Sequence, residues 1–304
     1  MILSWEYVYS HYSTLLPTMS VATLLGNAPA AEISEEVYSL TDIVTKRDVY
    51  DKYIQDINTH IKKNKPVCLT ELISFVGTRC PGLKPFHDLT NFDGKSLNKG
   101  IMGQIIEQTL FGNKPNCISE ADLHALGIEL KILPMKLLKQ TKKYSHDRIN
   151  TKERTKLSYA GCERTPTTFN DITDAQIFQD TKCYKKSKYI SYIVYISPKK
   201  KWKTFNELLN NKILFITTVS LESLPTELKE EIKDDFVKIQ TSIAEKKYTQ
   251  RGQKSIHCHR CGSKGSTKRA LGFTPKFTLK MIAHSMGIDI EQKGRSSWIR
   301  VDSL

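Results

Sequence analysis

Residues 188–197, KYISYIVYIS, are the strongest strand signal in the chain, a run of β-branched and aromatic side chains. That run commits the chain to a sheet. Residues 127–133, GIELKIL, alternate like a second strand closed by Pro134, and 212–219, KILFITTV, read as a third. Residues 254–260, KSIHCHR, are a further strand candidate. Helical spacing dominates before these. In 33–64 it is carried by Val37, Leu40, Ile43 and Val44, then Tyr50, Tyr53, Ile54, Ile57 and Ile61. That pattern predicts one or two amphipathic helices broken near Thr45–Asp48. Residues 69–77 predict a short helix. Residues 98–111 predict another, with Ile101, Ile105 and Ile106 facing inward and Gly112 ending it. Later helices are expected over 225–247 and 276–287. Helices first, then strands mixed with helices, predict a mixed α/β domain around a central sheet.

The 304 residues are enough for one large domain or two small ones, and 39% hydrophobic content supports a real core. Lys and Arg outnumber Asp and Glu by 46 to 32, a net charge of +14. Such an excess favours a polyanionic partner, nucleic acid or an anionic membrane surface, although a merely basic enzyme also carries it. There is no run of 18 apolar residues, so no membrane span is expected. The first residues lack the basic start of a signal peptide, and Met19 is an alternative start. The seven cysteines are irregularly spaced and read as reduced thiols in a cytoplasmic compartment. Residues 136–157 are rich in Lys and Arg. They read either as a solvated loop or as a mobile arm that neutralises phosphates.

The strand GIELKIL holds the chemistry. Alternation puts Glu129 and Lys131 on one face, and Ile128, Leu130 and Ile132 on the other. Asp122 lies upstream across the short turn LHALG. A buried charge is costly unless it is paired or binds a metal. Two carboxylates suit a hard divalent cation such as Mg²⁺, and a neighbouring lysine can orient water or offset phosphate charge. That set of groups points to phosphodiester hydrolysis. Glu-x-Lys alone is weak, because a surface-facing pair on a strand has the same pattern. Glu107, on the preceding helix beside Ile105 and Ile106, adds a third acid within reach.

Lys99-Gly100 through Gly103 to Glu107, then Phe111-Gly112, then Asp122 through Leu126-Gly127 to Glu129-Leu130-Lys131, resemble the MutH family. That family comprises the methyl-directed mismatch-repair nicking endonuclease and related type II restriction endonucleases that recognise GATC. Its pattern is K-G-x-x-G-x-x-x-E followed by D-x-x-x-L-G-x-E-L-K, and every element is present. The resemblance implies a restriction-endonuclease-like core of the PD-(D/E)xK type, with a mixed central sheet flanked by helices. It implies Glu107, Asp122 and Glu129 as metal-binding acids, Lys131 as the catalytic lysine, and Lys99 as a further active-site lysine. Residues 185–188, KKSK, resemble a basic segment holding one more active-site lysine, with Lys186 and Lys188 both open. Thr167-Thr168-Phe169 and Gly272-Phe273 with Lys276-Phe277-Thr278 extend the likeness. It covers about 67–287, with 66–304 as the endonuclease domain and 1–65 as an N-terminal helical extension.

In the family, a loop on the C-terminal side, here within about 250–290, enters the major groove. The matching stretch is HCHRCGSKGSTKR, 257–269, with Arg260, Lys264, Lys268 and Arg269 as DNA-binding candidates. Arg260 is the candidate base reader, because Arg to guanine is the commonest specific contact. Family members that read the adenine of GATC carry tyrosine after Gly-Phe, and this chain has Thr274. A zinc site at His257, Cys258, His259 and Cys261 competes for the same stretch, but no second Cys pair follows at finger spacing. The leading expectation is a Mg²⁺-dependent, sequence-specific type II restriction endonuclease acting on double-stranded DNA. Double-strand cutting also predicts dimerisation on DNA. A mismatch-repair nicking enzyme and a non-catalytic DNA-binding protein are the alternatives.

Overall fold

The computed structural model describes residues 37–64, 66–83, 97, 99–113, 120–139, 141, 146–151, 153–198, 201–248, 252–263, 265–293 and 296–304, without the side chains of Lys99 and Lys293. The chain first forms helices α1 (Leu40–Thr45) and α2 (Arg47–Asn64), broken at Lys46 within the predicted interval. A two-residue strand β1 (Val67–Cys68) leads into α3 (Leu69–Arg79), and α4 spans Lys99–Phe111. Strand β2 (Ile128–Leu138) turns back into β3 (Arg148–Thr151), and β4 (Thr155–Cys162) follows. Helix α5 (Lys182–Ser187) precedes β5 (Tyr189–Ile196) and β6 (Lys212–Ser220). The long helix α6 (Thr226–Ala244) leads to the hairpin β7 (Ile256–Arg260) and β8 (Lys268–Phe273). Helix α7 (Pro275–Met286) and the strands β9 (Glu291–Lys293) and β10 (Ser296–Arg300) complete the described chain.

The main sheet has seven strands in the order β1-β6-β5-β2-β3-β10-β9. Strands β2 and β5 are parallel, and the other described pairs are antiparallel, so the sheet is mixed as expected. KYISYIVYIS is central because both its faces are buried. Ile193 and Tyr195 join one core cluster with α1–α4, while Ile190, Tyr192 and Val194 join the other with α6, α7 and a second sheet. That second sheet has three strands, ordered β4-β8-β7. Two cores around one central sheet let a site sit at the sheet's edge while apolar side chains hold it from both faces.

Residues 37–304 form one compact unit, and α2 lies on the sheet. Tyr50 Oη donates to Ser191 Oγ at 2.7 Å, and Tyr53 Oη donates to the Leu110 carbonyl at 2.5 Å. Asn58 bonds the backbone of Ile216 in both directions, at 2.7 and 2.8 Å. The apolar stripe that predicted the helix is thus the stripe that covers the sheet. An N-terminal extension beginning at residue 1 and ending at 65 does not describe this packing.

Two further expectations are corrected. Pro134 does not close β2; the strand continues to Leu138, with Pro134 opposite Tyr195. Leu130 turns its N–H away from β5, onto the Asp122 carboxylate at 2.9 Å. Pro134 is four residues on and in phase, so its missing N–H falls on the same edge, where β3 does not begin to pair until Met135. The basic stretch 136–157 is not one mobile arm either. Its described parts form the β2–β3 hairpin, in which Arg148 is buried against the Trp298 ring at 5.1 Å, and the start of β4. Residues 140, 142–145 and 152 lie outside the described residues.

Candidate active site

Over residues 128–134 the edge of β2 away from β5 meets no strand among the described residues, only the Leu123 bridge to Ile128, because β3 pairs only with Met135–Leu138. The site is built on that open edge. Before β2 the chain makes a single 3₁₀ turn, His124–Leu126, and closes it at Gly127 in the left-handed region, φ 64°. Glycine adopts that conformation without steric cost. The turn folds Leu123 back onto Ile128 and sets Asp122 beside the strand, where its Oδ2 accepts from the Leu130 N–H. His124 points away; it is exposed and paired with Glu120 at 3.0 Å.

The alternation of β2 holds. Ile128, Leu130 and Ile132 pack into the core with α4, while Glu129 and Lys131 face the side of α5. Glu129 is 2% exposed. Lys131 Nζ donates to its Oε1, and Lys186 Nζ on α5 lies 3.5 Å from its Oε2. Glu107 reaches the group from α4, and Gly103 keeps the space beside Ile132 and Glu107 open. Burial, then the Asp122 and Glu129 charges, push the Glu107 carboxyl up to about 7, against the opposing pull of Lys131 and Lys186. Burial, opposed by Lys131, likewise raises Glu129.

The structure separates the two lysines of the KKSK segment. Lys186 faces Glu129, whereas Lys188 pairs with Glu222 at 2.8 Å and lies over the Tyr189 ring. Half a helical turn decides this, because residues two apart on a helix point to different sides. The side chain of Lys99 and the whole of Lys264 lie outside the described residues. Behind the site, Ser158 of β4 hydrogen-bonds the buried Cys183 of α5. That contact brings the three-stranded sheet against the helix carrying Lys186, and neither residue type in the sequence hinted at it.

Among the DNA-binding candidates, Arg260 ends β7 and Lys268 begins β8, both exposed. Arg269 is corrected: it is 3% exposed and ion-paired with Glu163, so it braces the hairpin from inside. The zinc alternative also fails. His257 and His259 stack on one face of β7, with ring centroids 4.7 Å apart, while Cys258 points into the core. Thr274 caps α7: its Oγ1 accepts from the Phe277 N–H at 3.2 Å and donates to the Lys254 carbonyl at 2.7 Å.

The donor set of Glu107, Asp122 and Glu129 is all hard oxygen, which suits Mg²⁺ in chemistry. One Glu129 oxygen is buried without a hydrogen-bond partner, and neighbouring carboxylates add to the raised proton affinity of Glu107 and Glu129. A divalent cation would relieve both. Among the described residues, however, no three His, Cys, Asp or Glu side chains are already arranged around a point that could hold a metal ion. Lysine ammonium groups neutralise Glu129 instead.

Acids and a lysine on one strand edge of a mixed sheet, with a third acid from the preceding helix, define a restriction-endonuclease-like core. Residues 111–235 match the family described as DNA mismatch repair enzyme MutH, and that match supports a MutH-like endonuclease assignment. The family is one of DNA-cleaving nucleases. Asp122, Glu129, Lys131 and Lys186 fall inside the matched segment; Lys99 and Glu107 precede it, and β7 and β8 follow it. No curated protein matches the chain. Among the described residues, no helix is long and apolar enough to cross a membrane.

Proposed function

We propose that this protein is a Mg²⁺-dependent, site-specific endonuclease of the type II restriction kind, hydrolysing phosphodiester bonds in double-stranded DNA in the cytoplasm. The observation that carries the reading is the meeting of Glu107, Asp122 and Glu129 with Lys131 and Lys186 at the open edge of β2. Asp122 and Glu129 are the residues that would hold the cation, with Glu107 as the third donor. When bound, the cation supplies charge neutralisation at the scissile phosphate and acidifies a water. Glu129 anchors the Lys131 ammonium, which is partly exposed and able to reach a phosphate oxygen. Lys186 lies against the second Glu129 oxygen and, after Lys131, opposes the rise that burial imposes on that carboxyl. Near neutral pH the Glu107 carboxyl is poised between its two protonation states, so a cation competes there with a proton.

Thr274 supports a target read differently from GATC, because this side chain is committed to capping α7 and fastening Lys254. Arg260 and Lys268, exposed at the base of the β7–β8 turn, are the proposed target contacts. Cutting both strands calls for two sites, hence a dimer on DNA. A mismatch-repair nicking enzyme is the second reading, and it shares the same site. The deciding experiment incubates the protein with unmethylated and adenine-methylated plasmid, with Mg²⁺ or EDTA, and sequences the ends. Discrete Mg²⁺-dependent double-strand ends support restriction; a single nick supports the repair reading. No cleavage alongside tight DNA binding would turn the assignment to a non-catalytic DNA-binding protein.

A further inference from the structure

The outer face of the three-stranded sheet carries a pattern that catalysis does not use. The pairing register puts Lys156, Gly272 and His257 in one row across β4, β8 and β7, and Tyr159, Ala270 and His259 in the next. Cys162 and Lys268 make a third. The opposite face, with Leu157, Leu271, Phe273, Ile256 and Cys258, packs into the core. The central strand puts only Gly272 and Ala270 on this face, and both are buried, so Lys156 and Tyr159 of β4 and Lys268 at the start of β8 are what the face exposes. The His259 ring leans onto Gly272, where a Cβ would stand 2.9 Å from Cε1.

Three observations say what this face meets. Lys156, Lys268 and the adjoining Arg154 are exposed, and no acidic side chain stands in the three rows. Of the neighbouring acids, Glu163 is paired with the buried Arg269. Tyr159 is 50% exposed, one of few large apolar side chains so placed among the described residues. Beneath the face, His257 Nε2 and His259 Nδ1 are buried without hydrogen-bond partners. A basic surface interleaved with rings is complementary to a nucleic-acid backbone with its sugars and bases. The sheet is also continuous with the site, through the contact of Ser158 with Cys183 on the helix that carries Lys186.

We propose that this outer face is a DNA-contact surface, on which Arg154 and Lys156 neutralise backbone phosphates and the Tyr159 ring packs against the sugar–base edge. The inference rests on the endonuclease reading and extends it from the cutting site to a surface that holds the duplex. It differs from the turn between β7 and β8, which carries the proposed target contacts.

The test measures affinity of the whole protein in EDTA for a labelled duplex of about 30 base pairs, between about 50 and 200 mM salt. Replacing Arg154 and Lys156 together by Ala should weaken binding about tenfold and lower the salt slope by about 2, one unit per residue. Tyr159→Ala should weaken binding with no change in slope, and Arg154→Lys with Lys156→Arg should bind near the parent affinity. The exposed pair Lys63 and Lys229, changed to Ala, should leave slope and affinity near the parent values. Unchanged melting temperatures establish that each variant folds. If the parent binds and the double Ala variant binds equally well, the proposal is overturned while Mg²⁺-dependent cutting can still stand. If the parent binds no duplex, the proposal falls, and the plasmid assay separately decides the endonuclease reading.

Discussion

At the open edge of β2 three carboxylates surround two lysines; on the outer face of the three-stranded sheet two imidazoles lie among arginines and a lysine. Both regions bury groups that titrate, and burial penalises the charged form in each. The result has opposite signs. Burial raises Glu107 to about 7, with the Asp122 and Glu129 charges adding to the rise. Burial, then His259 and Arg154, lower His257 to about 4, with Asp235 opposing, and burial, then Arg154, lowers His259. At the active-site edge carboxylates outnumber ammonium groups, and the three rows of the sheet face carry no acid. The first difference suits a cation and the second suits a polyanion.

The strongest way to break that comparison is to empty the first region. Glu129→Ala removes the group that Lys131 and Lys186 share, and should lower cleavage on the order of 10³-fold or more while DNA affinity in EDTA is kept. Removing Mg²⁺ with EDTA should have the same effect on the parent protein. If the variant cuts at near the parent rate, the site lies elsewhere.

A sharper cut separates the two lysines of the same segment. Lys186→Ala should slow cleavage by roughly 10²-fold, whereas Lys188→Ala, which loses only the ion pair with Glu222, should stay within a few-fold of the parent. Equal losses in single-turnover rates would show that the described orientation of α5 does not govern the reaction.

Smaller effects appear in stability against pH. Glu107 has a folded pKa of about 7 against an ordinary value of 4.5, so the folded state holds more protons across that interval. Stability from this group is full below the lower value and declines as pH rises through the upper one. In EDTA, Glu107→Gln should therefore be more stable than the parent at pH 8, by on the order of 1–3 kcal/mol, and equal to it near pH 4.5. Urea melts at both pH values test this; a gap that persists at low pH would assign the gain to packing instead.

His257 gives the mirror-image slope. Its folded pKa of about 4 lies below the ordinary 6.5, so its stability is present above the upper value and lost as pH falls through the lower. His257→Gln should flatten acid unfolding in that window by about 1–3 kcal/mol. The Glu107 and His257 variants, measured together, should change the pH profile in opposite directions; a shared direction would dissolve the contrast between the regions.

Much of this was legible in the chain itself. The strands KYISYIVYIS and KILFITTV, the helix over 98–111 and the break near Lys46 follow from apolar spacing, since burial acts on each face of each element separately. The common face of Glu129 and Lys131 follows from the period of a strand. Other features were illegible because they depend on neighbours far along the chain. Pro134 reads as a strand end, yet it is tolerated where its missing N–H meets an edge without a partner. Arg269 reads as a DNA ligand like Arg260, yet the register of β8 turns it inward to Glu163.

The sequence by itself determined which residues carry charge into an apolar strand, and through periodicity which of them share a face. It could not decide between Lys186 and Lys188, nor place the boundary of the folded unit before α2, nor show that His257 and His259 stack over Gly272. Those depend on the order of strands in two sheets and on which helix face meets them. Such pairings are fixed by long-range burial, where the fit of whole surfaces outweighs any local preference, so only the tertiary structure decides them.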